Sequence, residues 1–546
     1  MKNLIFTFLF AISLTAGFAQ AKDDKQLTAE FDKLLSEQFK TNETGCAALV
    51  ARNGQIIYKK AFGMANLELN IPMQADNVFR IGSITKQFTS VAILQLMEQG
   101  KLSLQDDITK FIPDYPTHGH HITIEHLLTH TSGIQSYTGM KDFGEIMRKD
   151  MKPEELVAHF KNQPMEFAPG TKWNYNNSGY FLLGYIIEKI TGKTYPQYVE
   201  EVFFKPLGMA NSYYGSDSKI IKNRASAYEK GKDGFQNAEP LSMTLPYSAG
   251  SIQSTVEDLF KWHQAVHAYK LVKKETLDKA FTKYKLSNGK ETSYGYGWFL
   301  GNVQGSATIE HSGGINGFLT QSIYLPKEDV FVTVFSNCDG NPPSDVSSKI
   351  AALTIAKPYF YKEITLDNLQ SYTGVYENEE GQRIITLADN QLYSQRSGGN
   401  KSKIKPYQKD AFFFENMLST LEFVRNGAGQ IEKVVLKGRQ PDATWKKTDK
   451  PIPTRTEVQV SEQILASYVG EYQLAPNFIL TVTKEGKGLM TQATGQGKIE
   501  IFAESETKFF PKVMEAQLEF IKDDSGKVTQ LILNQGGRKM EAKKIK

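Results

Sequence analysis

The sequence predicts a mixed α/β domain whose sheet is interrupted by a helical block, followed by two copies of a small antiparallel β domain. Three patterns predict it. Strand-like segments around residues 47–51 and 56–61, joined at Asn53-Gly54, find their counterparts between residues 294 and 337. Helical periodicity dominates the interval from Thr85 to about residue 207, broken at Pro113, Pro116, Pro164 and Pro169-Gly170. From about Leu366 the chain becomes short strands separated by Gly, Asp and Asn, and this pattern repeats. Tyr372-Thr373-Gly374-Val375-Tyr376 returns as Tyr468-Val469-Gly470-Glu471-Tyr472, Leu421-Glu422-Phe423 as Leu518-Glu519-Phe520, and Gly429 as Gly526. A period of ~96 residues is too long for a solenoid unit and suits a duplicated domain.

The elements follow in chain order. Lys2 precedes an apolar run from Leu4 to Phe18, and Ala19-Gln20-Ala21 supplies the small residues a signal peptidase accepts. Residues 1–21 therefore read as an export signal, and the protein is expected in the periplasm or outside the cell. Leu27, Phe31, Leu34, Leu35 and Phe39 then recur at helical spacing ahead of the hairpin. Cys46 opens the first strand-like run and Cys338 closes the last one of the α/β domain. Their apolar surroundings favour two buried thiols over a disulfide, whose Cα separation is narrowly limited. The stretch from Lys446 to Thr456, with Pro451 and Pro453 among charges, has linker composition. The expected units are the α/β domain at 22–362 and β domains at 363–448 and 457–546.

Composition bounds the function. At 546 residues the chain is too long for one core, which accommodates this many units at ~150 residues each. A net charge of +4 on that length gives no ground for a nucleic-acid partner. Beyond the leader no stretch approaches the ~20 apolar residues of a membrane span, so the mature chain is expected to have none.

Ser83 carries the chemical signal. In Gly82-Ser83-Ile84-Thr85-Lys86 one helical turn places the Lys86 amine beside the Ser83 hydroxyl, and a neutral amine there can take its proton. Ser-x-x-Lys also occurs at Ser216, Ser287, Ser402 and Ser505. Only Ser83 is followed by helical apolar repeats (Phe88, Val91, Ala92, Leu94, Leu96) with Gly100 as a stop, and preceded by strand-like Val78-Phe79-Arg80. Taken alone, a plain helix N-cap competes with a nucleophile for this serine. A Pro169-Gly170 turn leading to Tyr175-Asn176-Asn177, and Glu310-His311-Ser312-Gly313-Gly314 before a strand, could supply the proton donor and oxyanion donors that such a serine needs.

Other constellations fail on single residues. His263-Gln264-Ala265-Val266-His267 has Gln where a zinc protease needs Glu. His118-Gly119-His120-His121 lacks the Asp of a metallo-hydrolase and reads as a solvated loop, and His126 and His130 read as hydrogen-bonded structural residues. No Gly-x-Ser-x-Gly elbow and no Gly-rich phosphate loop occur. Neither a metal nor a cofactor is expected.

Four stretches together resemble the penicillin-recognising serine hydrolases, the family of class C β-lactamases, D-alanyl-D-alanine carboxypeptidases, D-aminopeptidases and related esterases. They are Phe79-Arg80-Ile81-Gly82-Ser83-Ile84-Thr85-Lys86, the run from Ile122 to Gly133, Tyr175-Asn176-Asn177-Ser178-Gly179-Tyr180, and His311-Ser312-Gly313-Gly314. The resemblance covers roughly residues 41–357. It implies a β-lactamase/transpeptidase-like fold, an antiparallel sheet with flanking helices plus an all-α subdomain, with the cleft between them. It implies Ser83 as nucleophile, Lys86 and Tyr175 as the acid/base pair, and Asn177 as the group orienting the substrate amide. His311, Ser312, Gly313 and Gly314 would contact substrate, with the Gly314 N–H as second oxyanion donor. Whether Lys86 or a Tyr175 phenolate takes the proton stays open. The third motif is Lys-Thr-Gly in β-lactamases, and here a partly charged His311 is expected in place of a fixed cation. This His-x-Gly and the duplicated β domains, implied to be barrels, resemble the D-aminopeptidases.

The implied function is an exported hydrolase that forms an acyl-enzyme on Ser83 and cleaves small, cell-wall-derived peptides or amides containing D-amino acids, in the manner of a D-aminopeptidase or D-alanyl carboxypeptidase. A carboxylesterase or β-lactamase of the same fold is the nearer alternative. A non-catalytic penicillin- or peptidoglycan-binding protein is the alternative of another class.

Overall fold

The computed structural model describes residues 24–546 except 232–233, 358–362, 380, 398, 400, 415–418, 439–441, 454–456, 476–477, 487, 495–496, 515 and 536–537. The expected export signal at 1–21 lies outside the described residues.

A six-stranded antiparallel sheet organises the first domain. Its spatial order is Phe299–Val303, Ser306–Ile315, Phe318–Leu325, Val330–Ser336, Cys46–Arg52 and Gln55–Phe62. The early hairpin thus docks on the late meander, with Cys46 opposite Ser336 and Arg52 opposite Val330. The strand Cys46–Arg52 reads as one apolar run because it is covered on both faces. Ala47, Leu49 and Ala51 enter the core shared with the helical block, while Cys46, Ala48 and Val50 enter the core under the helices Asp24–Gln38 and Ser344–Thr354. Cys46 and Cys338 are both buried and unpaired with each other.

The helical block inserted between the sheet's halves runs past residue 207 to the helix Lys274–Ala280. At its root lies a small sheet of Phe79–Arg80, Ile252–Ser254 and Tyr213–Tyr214. Its aromatic centre is Phe88, stacked on Trp262 at 3.8 Å and edge-on to Phe203 and Phe204.

The C-terminal region is two closed eight-stranded antiparallel barrels, from Gly374–Asn378 to Ala443–Lys447 and from Gly470–Ala475 to Arg538–Lys544. Lys446 and Lys447 belong to the last strand of the first barrel, so the segment with linker character starts after them. The repeated Tyr-x-Gly-x-Tyr now has a physical reason. Tyr376 Oη donates to Tyr372 O at 2.8 Å, and Tyr472 Oη donates to Tyr468 O at 2.8 Å. The glycine between each pair holds φ +147° or +152°, a region closed to side chains. Lys447 Nζ reaches Ser371 O and Lys544 Nζ reaches Ser467 O, both at 3.2 Å, closing each barrel over the same corner. Tyr376→Phe and Tyr472→Phe should each leave a buried carbonyl without its donor. Each should destabilise its own barrel by about 1–3 kcal/mol, read as faster hydrogen exchange in that barrel and unchanged exchange in the other.

Candidate active site

Ser83 lies where sheet and helical block meet. After Phe79–Arg80 the chain turns through Gly82, at φ +50°, into the 3-10 turn Gly82–Ile84 and on into the helix Thr85–Glu98. A close approach dictates this turn. A methyl group on Gly82 would come within 2.8 Å of Gly314 N, and one on Gly313 within 2.0 Å of Ile81 O. The two glycines let the strand Ser306–Ile315 press against the start of the helix. No side chain caps either the turn or the helix, so Ser83 has no capping task. Its Oγ stands 3.0 Å from Lys86 Nζ instead.

From Ile84 to Leu94 every residue of this helix is buried, and Lys86 is enclosed with the rest. Lys86 Nζ donates to Asn177 Oδ1 and to Ala249 O, each at 2.9 Å. Both oxygens only accept. A neutral amine has two N–H bonds and one lone pair, so these contacts use both N–H groups and leave the lone pair for the Ser83 hydroxyl. Burial pushes the Lys86 amine well below the usual lysine range, which favours that neutral form.

Tyr175 completes the group. Its phenol bonds with Ser83, burial holds it above the ordinary phenol range, and Lys86 Nζ lies 4.8 Å from its ring centroid. His130 sets the loop that carries it: His130 O accepts from Asn174 N and His130 Nδ1 accepts from Asn176 N, both at 3.0 Å. The His130 ring sits 4.3 Å from the Tyr175 ring, and burial keeps the imidazole neutral. His126 Nδ1 accepts from Thr123 N and closes a capping box. Asn176 caps the helix Asn177–Thr191 by accepting from Gly179 N. That cap delivers Asn177 to Lys86, and Asn177 Nδ2 donates to Thr138 Oγ1 while its own N–H reaches Ser136 Oγ. Ser136, Thr138 and the Ala249 carbonyl escaped the sequence reading. The first two follow Gly133 with no distinctive pattern, and a backbone carbonyl carries no residue signature.

The third motif differs from expectation. Along the strand Ser306–Ile315 the period of two exposes Ser312 and Gly314 and buries His311 and Gly313. His311 is therefore enclosed, its ring 6.2 Å from that of Tyr175. Its Nδ1 lies 2.6 Å from Ser312 O, which only accepts, so Nδ1 carries the proton and Nε2 accepts from Tyr294 Oη at 2.9 Å. Burial, reinforced by Lys86, lowers its pKa to about 3. Pairing of this strand with Phe299–Val303 ends at Phe299 and Glu310, so its edge from His311 onward faces the cleft. Ser83, Lys86, Tyr175, Asn177, Ser312 and Gly314 thus converge, while the enclosed His311 ring packs against Tyr294 and Phe299 at 6.2 Å from the Tyr175 ring, and Gly313 lies against Ile81.

Residues 27–357 match the Beta-lactamase family. The chain belongs to that family. It is a family of serine hydrolases that includes esterases, amidases and penicillin-binding proteins, some of its members being non-catalytic. Residues 454–544, the second barrel, match a domain of unknown function. Penicillin-binding protein 4* of Bacillus subtilis is 26% identical over 545 residues, covering 96% of this chain and 99% of its own length. The octameric penicillin-binding protein homologue of Pyrococcus abyssi is 28% identical, with a TM-score of 0.54, over 78% of this chain and 100% of that one. A D-stereospecific amidohydrolase from Streptomyces sp. is 27% identical, with a TM-score of 0.52, over 59% of this chain and 97% of that one. Among the described residues no helix is long and apolar enough to cross a membrane, and no group of acidic, His and Cys side chains is arranged to hold a metal.

His311 has a folded pKa of about 3 against 6.5 when unfolded. As pH falls from 6.5 towards 3, the unfolded chain takes up a proton that the folded family domain refuses. Stability is then lost by at most ~1.4 kcal/mol per pH unit from this group. In ¹⁵N-histidine spectra the His311 ring should stay neutral, protonated at Nδ1, from neutral pH down to about pH 5. A signal titrating between about pH 6 and 7 would restore the charged histidine.

Proposed function

We propose that the protein is an exported serine hydrolase that acylates Ser83 and cleaves peptides or amides of D-amino acids. One observation carries the catalytic part of this reading: an enclosed Lys86 amine whose two N–H bonds are taken by Asn177 and Ala249 and whose lone pair is left to Ser83. A passive binding protein has no use for a buried, desolvated amine held in that way. The D-amide preference draws support from the D-stereospecific amidohydrolase named above, and export from the leader pattern at residues 1–21.

In this reading the Ser83 hydroxyl proton passes to Lys86 Nζ as Oγ attacks the substrate carbonyl carbon. The developing oxyanion is met by the backbone N–H of Ser83 and, from the open strand edge, that of Gly314. Tyr175, a neutral phenol, gives its proton to the departing amine nitrogen and regains one from the Lys86 ammonium. The C–N bond breaks, leaving an ester on Ser83 and a neutral amine Lys86. Water then attacks the ester with its proton going to Lys86, and Ser83 departs reprotonated. Asn177 and Ser312 face the substrate amide from either side of the cleft.

A fluorophosphonate should leave an adduct on Ser83, located by mass spectrometry, and Ser83→Ala should abolish both labelling and turnover. Hydrolysis of D-alanine amides, their L-isomers, p-nitrophenyl esters and a chromogenic cephalosporin, measured side by side, should favour the D-amide. A preference for the ester or the cephalosporin would move the protein to those branches of the family. Lys86→Met and Tyr175→Phe should each lower kcat by roughly 10²–10⁴-fold. The double variant should be little worse than either single one, because both residues serve one proton transfer. Multiplicative losses would show two independent tasks.

A further inference from the structure

The first barrel carries a charge arrangement that its fold does not require. Arg383, on the strand Gly381–Ala388, stands directly opposite Arg396 on the neighbouring strand Gln391–Arg396. Like charges in cross-strand register repel. Arg383 shares the inward face of its strand with the core residues Ile385 and Leu387, yet it is 7% exposed and sits at the barrel's end. Its guanidinium carbon lies 4.4 Å from the Trp445 ring centroid and its Nη1 donates to Ser394 Oγ at 2.7 Å. Arg383 Nε and Trp445 Nε1 are both buried without a hydrogen-bond partner among the described residues. Burial, with Arg396 adding to it, draws the Arg383 guanidinium down to about 10. A desolvated guanidinium with an unused donor, beside an indole N–H that is also unused, is costly unless an acceptor completes them.

The second barrel supplies an internal control. Tyr376 faces Arg383 in the first barrel and Tyr472 faces Leu480 in the second. By the same register Arg396 corresponds to Ala493, and Trp445 to Ala542. One barrel geometry therefore closes on Leu480, Ala493 and Ala542 with no charge at all. The arginine pair is a property of the first copy, not of the architecture.

The pair borders a cavity of about 1040 Å³ between the first barrel and the catalytic domain. Five basic side chains line it, Lys172, Lys283 and Lys290 joining the two arginines, against Glu291 and Asp442, the latter paired with Lys437. Trp173 lines it too, two residues before Tyr175. The Trp173 ring packs on Phe299, and Phe299 lies parallel to Tyr175. The cavity thus adjoins the loop that carries Tyr175.

We propose that this barrel mouth is an anion subsite, in which Arg383, Arg396 and the Trp445 indole N–H hold a carboxylate at the end of the substrate remote from the scissile bond. The cation that the third motif lacks in the cleft is then provided from the neighbouring domain. The assignment to substrate rests on acylation at Ser83, and the experiment separates the two.

Mono-p-nitrophenyl esters of dicarboxylic acids of increasing chain length, each compared with its methyl-capped counterpart, read the subsite through acylation without requiring a D-amide. At one length the full chain should favour the free carboxylate by about tenfold or more in kcat/KM, the size of one or two charge-assisted hydrogen bonds. Arg383→Leu/Arg396→Ala, which copies the second barrel, should abolish that preference, leave p-nitrophenyl acetate turnover unchanged, and melt no lower than the parent. Lys172→Gln/Lys290→Gln, on exposed residues of the facing wall, should reduce the preference if the barrel variant does not fold. Glutarate titrated calorimetrically into Ser83→Ala protein tests the site with no turnover at all. Binding there, weakened about tenfold or more by the arginine substitutions, is expected even if D-amides prove not to be substrates. Glutarate binding without any ester preference would overturn the substrate-tail assignment and leave a site for free anions. Absence of glutarate binding, or a preference that survives both sets of substitutions, would overturn the subsite.

Discussion

An amine buried without a counter-ion is the constraint around which the catalytic domain is arranged. Lys86 lies in a helix enclosed on all sides, so water cannot solvate an ammonium there, and the surroundings supply two acceptors and no carboxylate pair among the described residues. The site depends on where those acceptors come from. Ala249 O is delivered by the segment leading into the strand Ile252–Ser254, which pairs with the strand just before Ser83. Asn177 is delivered by a helix whose cap is anchored to His130 through Asn176. Three stretches distant in sequence must be in place before the nitrogen has a lone pair to offer.

The second constraint is steric. The nucleophile turn and the cleft strand meet backbone to backbone, and the absent side chains of Gly82 and Gly313 make room for it. Thr320 Oγ1 donates to Ile81 O at 3.0 Å and ties the next strand to the same turn. Sheet and helical block are thereby fixed relative to one another at the point where chemistry would occur. A cleft built in this way has little freedom to open at its base, and variation in substrate is left to its rim.

Much of this was legible in the residues, for reasons that are local. The apolar period after Ser83 marked a core helix, the doubled Tyr-x-Gly-x-Tyr marked a repeated corner, and the hairpin with its distant meander marked one sheet. What was not legible depended on partners far along the chain. The charge of His311 was not legible because burial and the Tyr294 hydroxyl, not residue type, bear on it. Ser136, Thr138 and Ala249 are invisible as motifs because each contributes one oxygen placed by tertiary structure. The arginine pair required the strand register, since Arg383 and Arg396 are unremarkable until they are seen to face each other.

The sheet order has a consequence for how the molecule comes into being. The strand Cys46–Arg52 lies inside the sheet, and Gly45 N donates to Asn337 Oδ1 across 292 residues of sequence. During synthesis the nucleophile helix and its lysine emerge long before the late strands that pair with the early hairpin. Until residue 336 is available, the strand Cys46–Arg52 lacks its neighbour Val330–Ser336, with only the helix Asp24–Gln38 to cover one of its faces, and contacts of such long sequence separation form slowly. The barrels, each closed by pairing within its own stretch of chain, carry no such dependence. The catalytic half is therefore made first and finished late, which exposes it to misassociation for longer than the modules that follow it.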